Sequence, residues 1–238
     1  MKSRSCVVTM VALWGVVASQ SARAGNLVVS NLGQSPSGAD FIMPYDPSIG
    51  QFGFTAAQEF NTGSPATSLD RIFANIGNYD SGTNGDFQLT ATLLADSAGT
   101  PSGSPLVSFT FNVGSIPTSG FANVEFDPVG TFNLAASTNY WFVLSGSSPS
   151  DGSGGVNWNY TDSTITSGPG SLPQFNNSYD GGATWNGPFS GGPYLVQVNG
   201  VLSVPEPAGW VLGSIGFAAV LGLARWSRSR RRDAGPAL

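Results

Sequence analysis

Hydrophobic and polar residues alternate in several short runs along the middle of the chain. The alternation is clear in four segments, 87–93, 107–113, 156–160 and 194–198. Every second residue in them is apolar, as in a β-strand that turns one face to a core and the other to solvent. Clusters of Gly, Ser, Asn and Thr separate these runs and indicate turns. The pattern therefore predicts short antiparallel strands.

Two further runs complete the predicted sheet. Ile72, Ala74 and Ile76 alternate like the others, whereas 140–144 is continuously apolar, as expected of a central strand buried on both faces. We find no convincing amphipathic-helix spacing within 25–203. The sequence therefore predicts an all-β domain over these residues, an antiparallel β-sandwich of jelly-roll type.

The first 24 residues have the pattern of a secretory signal peptide. Two basic residues precede an apolar run over 6–18. Ala22 and Ala24 form the small-x-small pattern that signal peptidase accepts, which predicts cleavage before Gly25. An uncleaved membrane anchor is the alternative. Cleavage would remove the one cysteine of the chain, so the mature protein would have no disulfide.

A second apolar run, 208–224, lies near the C-terminus and has Ser214 as its one non-apolar side chain. It predicts a transmembrane helix over 208–226, with a buried helix of a globular domain as the alternative. Basic residues follow the run and would hold that end in the cytoplasm, which makes 233–238 a cytoplasmic tail. These stop-transfer residues are Arg225, Arg228, Arg230, Arg231 and Arg232.

The tripeptide Pro205-Glu206-Pro207 stands directly before this helix. Prolines lack an amide donor and disfavour helix in the residue before them, so the segment should be extended and accessible. Tripeptide, short helix and arginines, over 204–232, resemble the PEP-CTERM class of sorting signals of Gram-negative bacteria. The resemblance implies an exosortase, a membrane-embedded transpeptidase, that recognises and cuts the tripeptide. It also implies an inner-membrane precursor that ends at the cell surface or in the extracellular matrix.

The predicted domain resembles a second family, the choice-of-anchor ectodomains of bacterial surface proteins. The matching segments are 57–63, 69–72, 90–97 and 134–144, the last of which holds a Thr-Asn-Tyr-Trp strand entry. The resemblance covers about residues 50–200. It implies an extracellular β-sandwich and assigns no catalytic residue.

The charge distribution limits the possible functions. Residues 25–203 hold twelve acidic residues and one basic residue, Arg71. Such a surface repels nucleic acid and attracts cations. The same residues contain no His, Cys or Lys, which excludes a Ser-His-Asp triad, a Cys-His pair and a His-ligated zinc. A carboxylate pair remains the one route to hydrolysis, as in a glycosidase, and we expect a protein that is not an enzyme.

Two candidate sites remain for ligands. Asp80, Asn84 and Asp86 place oxygen ligands in one Gly-rich loop and predict a calcium site, with an ordinary hairpin loop turning at Asn84-Gly85 as the alternative. Trp158, Tyr160 and Trp185 are candidates for stacking on sugar rings, although aromatic residues of a sandwich more often fill its core.

These features predict an exported, exosortase-processed protein of the cell surface or extracellular matrix. It would be associated with exopolysaccharide in a structural or adhesive role. The alternative is a carbohydrate-binding module that recognises exopolysaccharide, with calcium as a cofactor. The expected partners are signal peptidase, exosortase, the membrane before processing, and exopolysaccharide.

Overall fold

The computed structural model describes residues 25–46, 52–64, 66–148, 150 and 152–202. The described chain is built of β-strands, with one 3-10 turn at Val113–Ser115, which confirms the all-β expectation. The strands are β1 (Asn26–Ser30), β2 (Gly38–Ile42), β3 (Thr55–Asn61), β4 (Thr67–Asp80), β5 (Gln88–Ser97), β6 (Thr100–Thr110), β7 (Phe121–Pro128), β8 (Asn133–Leu134), β9 (Asn139–Ser147), β10 (Gly155–Tyr160), β11 (Phe175–Ser178) and β12 (Val196–Leu202).

The signal peptide, the Pro-Glu-Pro tripeptide, the transmembrane helix and the arginine cluster lie outside the described residues. Within the described ranges, no helix has the length and apolar character needed to cross a membrane.

The strands form one antiparallel sheet in the order β1-β12-β4-β7-β6-β5-β9-β3-β11, and β10 joins β2 to β4. The connection between β6 and β7 is narrow, because two residue pairs form it, Phe109 with Pro128 and Thr110 with Asp127. The sheet curls as a half-barrel. The strands on the β7 side of this connection (β1, β12, β4 and β7) therefore face those on the β6 side (β6, β5, β9, β3 and β11) across a shared core.

The aromatic core shows how the two parts of the sheet meet. Phe142 on β9 packs edge-on against Phe126 on β7 and Trp158 on β10, with ring centroids 5.4 and 5.7 Å apart. Trp158 also stacks on Tyr194 at 4.4 Å. All four side chains are fully buried. Because these residues come from separated strands, the core joins both parts of the curled sheet.

Most of the predicted strands are present. Residues 140–144 are all buried in β9, which lies between β5 and β3, so the expectation of a central strand is confirmed. The run 107–113 is only partly a strand, since β6 ends at Thr110 and Val113 is 45% exposed in the 3-10 turn. Asn112 ends the strand pattern there, because its side chain accepts a hydrogen bond from the amide of Gly114 at 2.9 Å.

The loop between β4 and β5 is not a hairpin. These consecutive strands do not pair, since β4 pairs with β7 and β12 whereas β5 pairs with β6 and β9. The loop instead carries the chain from one part of the curled sheet to the other. The hairpin alternative for Asn84-Gly85 is therefore wrong, although the loop does turn at Thr83-Asn84.

Candidate functional site

A groove of about 610 Å³ opens on the outer face of β4 and β7, beside the end of β6. Phe73 on β4 lies opposite Glu125 on β7 in the antiparallel register. Alternate residues of a strand share a face, so the polar residues of β7 point into the groove while Val124 and Phe126 enter the core. The lining residues are Phe73, Thr110, Phe111, Asn112, Ser115, Asn123, Glu125 and Asp127.

Two phenylalanine rings give the groove its apolar surface. Phe111 follows the last residue of β6, and its ring packs against buried Phe126 with centroids 5.0 Å apart. Phe73 is half-buried on the outer face of β4. Both rings are thus held by the sheet and still have surface in the groove, as a ligand that stacks on an aromatic ring requires.

An amide ladder orders the polar floor next to these rings. The Asn75 side-chain amide donates to Asn123 Oδ1 at 2.7 Å, and the Asn159 amide donates to Asn75 Oδ1 at 2.7 Å. The three residues come from neighbouring strands β7, β4 and β10. Their side chains are positioned before any ligand arrives, which lowers the entropy cost of binding.

Arg71 is the cation at the end of the groove. A β-bulge interrupts the register of β4 with β12 at this point. Leu69 faces Gly200 and Arg71 faces Asn199, so Asp70 has no cross-strand partner and its side chain lies beside Arg71. The guanidinium contacts Asp70 at 3.1 Å and also pairs with Glu125. Burial lowers the pKa of Arg71, but the hydrogen bond and charge of Asp70 and the charge of Glu125 outweigh it and raise the pKa above its ordinary value.

The aromatic residues proposed from the sequence do not line this groove. Trp158 is fully buried, which confirms the expectation that such an aromatic residue fills the core and excludes it as a sugar-stacking residue. Tyr160 is half-buried and packs against the same core. Trp185 is half-buried against a small cluster that includes Trp141 and Val143. The sequence contains one indication of this groove, because the alternate positions 123, 125 and 127 of β7 are polar.

A second, smaller surface is more aromatic. It surrounds a cavity of about 310 Å³ lined by Asp40, Phe41, Met43, Phe52, Gly53, Phe54 and Tyr179. Phe52 is 77% exposed, and Tyr179 packs edge-on against Phe54 at 5.6 Å. This cavity offers few hydrogen-bonding groups beside its rings. Moreover, the carboxylate of Asp40 already accepts a hydrogen bond from the hydroxyl of Tyr194 at 2.6 Å.

The predicted calcium loop is tied to the serines after β9. Asp86 accepts hydrogen bonds from Ser148 Oγ at 2.6 Å and from the backbone amide of Ser150 at 2.8 Å. These bonds lower the pKa of Asp86. Asn84 donates to Ser150 Oγ at 3.2 Å, so the side chains of Asn84 and Asp86 both form hydrogen bonds with Ser150. Asp80 instead accepts from the amide of Gly82 in its own turn.

The structure thus brings two of the three proposed ligands together. In the described part of the chain, no group of three or more His, Cys, Asp or Glu side chains is placed to hold a metal ion. The calcium loop stays a prediction.

A buried carboxylate lies on another part of the sheet. Glu59 on β3 is fully buried, and neither carboxylate oxygen has a hydrogen-bond partner within bonding geometry. Burial, together with the charge of Asp96, raises the pKa of Glu59 to about 7, and the nearby side chains of Gln174 and Asn139 offset only part of this rise. Glu59 is closed to substrate, whereas Glu125, the other glutamate of the domain, lies in the groove. The two glutamates therefore do not form the carboxylate pair of a glycosidase.

Comparison with known proteins gives no family for the chain. No protein-family model matches it, and no curated protein is similar to it. The groove therefore has to be interpreted from its own residues.

Proposed function

We propose that this chain is an exported protein of the cell surface or extracellular matrix that is not an enzyme and binds exopolysaccharide through its β-domain. In this proposal signal peptidase removes residues 1–24, and an exosortase processes the chain at Pro205-Glu206-Pro207. The domain between them would be a β-sandwich of the choice-of-anchor type. The sequence features that support export and sorting are the signal peptide, the acidic β-domain, the tripeptide and the basic helix end, in that order.

The observation that favours polysaccharide binding is the composition of the groove. Two aromatic rings, Phe73 and Phe111, lie beside amide and carboxylate side chains on a rigid sheet. Sugar rings have apolar C–H faces, which stack on aromatic rings, and a rim of hydroxyl groups, which exchange hydrogen bonds with amides and carboxylates. The groove has a volume of about 610 Å³ and is open to solvent rather than enclosed, so a ligand can contact both rings.

The arrangement of charges fits binding better than hydrolysis. The Glu125 side chain is 40% exposed and forms an ion pair with Arg71, and Asp127 is exposed. A glycosidase keeps its acid shielded from water so that the proton is retained near neutral pH. Neither groove carboxylate is shielded in this way. We therefore propose that both hold ligand hydroxyl groups and transfer no proton.

Binding can be tested with the full-length chain, purified in a mild non-ionic detergent. Its affinity for exopolysaccharide of the native host is measured by co-sedimentation and by calorimetry. Phe73→Ala should weaken binding at least about fivefold, as expected for loss of a central aromatic contact. Phe52→Ala is the matched control, because it removes an equally large ring from the smaller cavity.

Melting temperatures of both variants would show that the fold is intact. Groove binding is contradicted if Phe73→Ala binds like the wild type, or if Phe52→Ala alone loses affinity. If the wild-type chain binds no exopolysaccharide, the carbohydrate part of the proposal fails, and a purely structural surface role remains.

A further inference from the structure

The charges around the groove restrict which polysaccharide it can hold. Three carboxylates and one guanidinium stand on this face of β4 and β7. They belong to Asp70, Glu125, Asp127 and Arg71, the last of which is the one basic residue between 25 and 203. The local balance is therefore negative, and it matches the sign of the whole domain.

Arg71 does not offset this balance for a ligand. Its Nε donates to Asp70 and its Nη1 donates to Glu125, so two carboxylates already offset its single positive charge. Asp127 lies on the same strand face as Glu125, two residues further along β7, and is exposed. Asp127 also acts on Arg71 through its charge, so three carboxylates surround one cation here and the net charge that a ligand meets is negative.

The amide groups close to the rings carry no net charge and supply both donors and acceptors. Asn123 accepts from Asn75 through its oxygen, and its side chain is exposed and lines the groove. Asn112 and Ser115 contribute further neutral groups to the lining. Neutral hydroxyl and acetamido groups of a sugar can be bound there by hydrogen bonds.

We infer, on the basis of the proposed function, that the groove binds polysaccharides carrying free amino groups, such as partly deacetylated amino-sugar polymers, and rejects polyuronates. A protonated sugar amine beside Asp127 and Glu125 gains a charge-assisted hydrogen bond, whereas a uronate carboxylate in the same place meets repulsion. The apolar ring faces still stack on Phe73 and Phe111. Selection therefore depends on charge and not on ring shape.

Three polymers of similar length distinguish the possibilities. The full-length chain in detergent is titrated at mildly acidic pH with partly deacetylated chitosan, with fully acetylated chitin oligomers and with polygalacturonate. Chitosan should bind best and should lose affinity as salt is added, because screening weakens exposed charge pairs. Polygalacturonate should not bind.

Substitutions then locate the selection. Asp127→Asn should weaken chitosan binding about two- to fivefold and leave binding of the acetylated oligomer unchanged, as expected for one exposed charge pair. Asp162→Asn makes the same change of charge at an exposed residue outside the groove and should have no effect. Arg71→Gln should strengthen chitosan binding, since it removes the opposing cation.

The outcomes are distinguishable. Equal binding of chitosan and the acetylated oligomer overturns the charge selection and leaves the proposed function standing. Equal losses of chitosan affinity in Asp127→Asn and Asp162→Asn overturn it as well. The net charge of the domain, and not a carboxylate in the groove, would then determine the affinity. Polygalacturonate binding, with or without added calcium, also overturns it. If neither these polymers nor host exopolysaccharide bind, the carbohydrate part of the proposed function fails together with the inference.

Discussion

Glu59 on β3 and Trp141 on β9 are direct cross-strand partners, and both side chains are fully buried. The indole of Trp141 donates its N–H to Asp96 at 2.8 Å and not to Glu59. Glu59 is left without a partner within bonding geometry. A carboxylate in such surroundings is more stable with its proton bound.

The stability of the protein should therefore fall as the pH rises toward neutrality. The pKa of Glu59 is about 7 in the folded chain against an ordinary value of 4.5, so the folded state holds a proton that the unfolded state has lost between these values. The contribution is at most about 1.4 kcal/mol per pH unit. In the presence of a chelator, Glu59→Gln should raise the unfolding free energy at pH 8 by about 1–3 kcal/mol, and should change it little at pH 4.

Chemical denaturation at a series of pH values provides the measurement. The wild type is measured beside Glu59→Gln at each pH, and the difference between the two curves is the contribution of this carboxylate. A loss of stability in Glu59→Gln at pH 8 would mean that the ionised carboxylate is bound by a group that the structure does not contain.

The core position of Trp158 gives a second prediction. Its ring stacks on Tyr194, and its Nε1 donates to the backbone oxygen of Leu195 at 3.2 Å. Trp158→Ala should lower the unfolding free energy by about 3–5 kcal/mol, because it leaves a large cavity. It also removes one of the two hydrogen bonds to the Leu195 carbonyl, which keeps the bond from the Asn75 amide at 3.0 Å. Trp185→Ala, at a half-buried position, should cost less. Urea unfolding of both variants decides the matter, and an equal or larger cost at Trp185 would contradict the core assignment.

The turn before Trp185 depends on Asp180. This carboxylate accepts hydrogen bonds from Ser178 Oγ at 2.6 Å and from the amide and hydroxyl of Thr184 at 2.8 and 2.6 Å. These bonds lower the pKa of Asp180 to about 2 from an ordinary 3.8. Their stabilisation is present above pH 3.8 and is lost as the pH falls through about 2.

Asp180→Ala should release this turn even at neutral pH and should make Trp185 more accessible to acrylamide, as measured by fluorescence quenching. Trp141 and Trp158 are fully buried and should stay shielded. Asp162→Ala is the control at an exposed loop position. Unchanged quenching in Asp180→Ala would show that the packing of Trp185 holds the turn without the carboxylate.

The tail carries the fourth prediction. In the proposed function, retention in the membrane would depend on burying the apolar residues of 208–226 and on the cost of moving arginines through the bilayer. Processing would depend on the tripeptide as an extended segment at the membrane face. Changing Pro205, Glu206 and Pro207 to alanine should therefore leave a membrane-bound precursor that lacks only its signal peptide.

Neutral residues in place of the five arginines should instead let some precursor pass through the membrane. Fractionation and immunoblotting in the native host, with a tag inside the β-domain, separate these forms. Production of the shortened species at the wild-type rate by the triple-alanine chain would show that the tripeptide is only a linker.

The sequence by itself determined the fold class and the position of six of the twelve strands that the structure describes. Residues 140–144 and 156–160 were recognisable because the alternation of side chains along a strand is a local property, and burial on one or both faces appears directly in the residue types. The same alternation occurs at Asn123, Glu125 and Asp127, but they lie on β7, a strand that the sequence analysis did not predict.

Only the tertiary structure decided which strands pair and what covers each face. β4 and β5 are consecutive in the chain but belong to different parts of the sheet. Glutamate is a residue type that usually lies at the surface. Glu59 is nevertheless buried, because a neighbouring strand and the segment around Gln174 enclose it. The groove likewise needs Phe111, which lies far from Phe73 in the sequence. Burial and convergence of this kind depend on contacts between distant residues, which no local pattern contains.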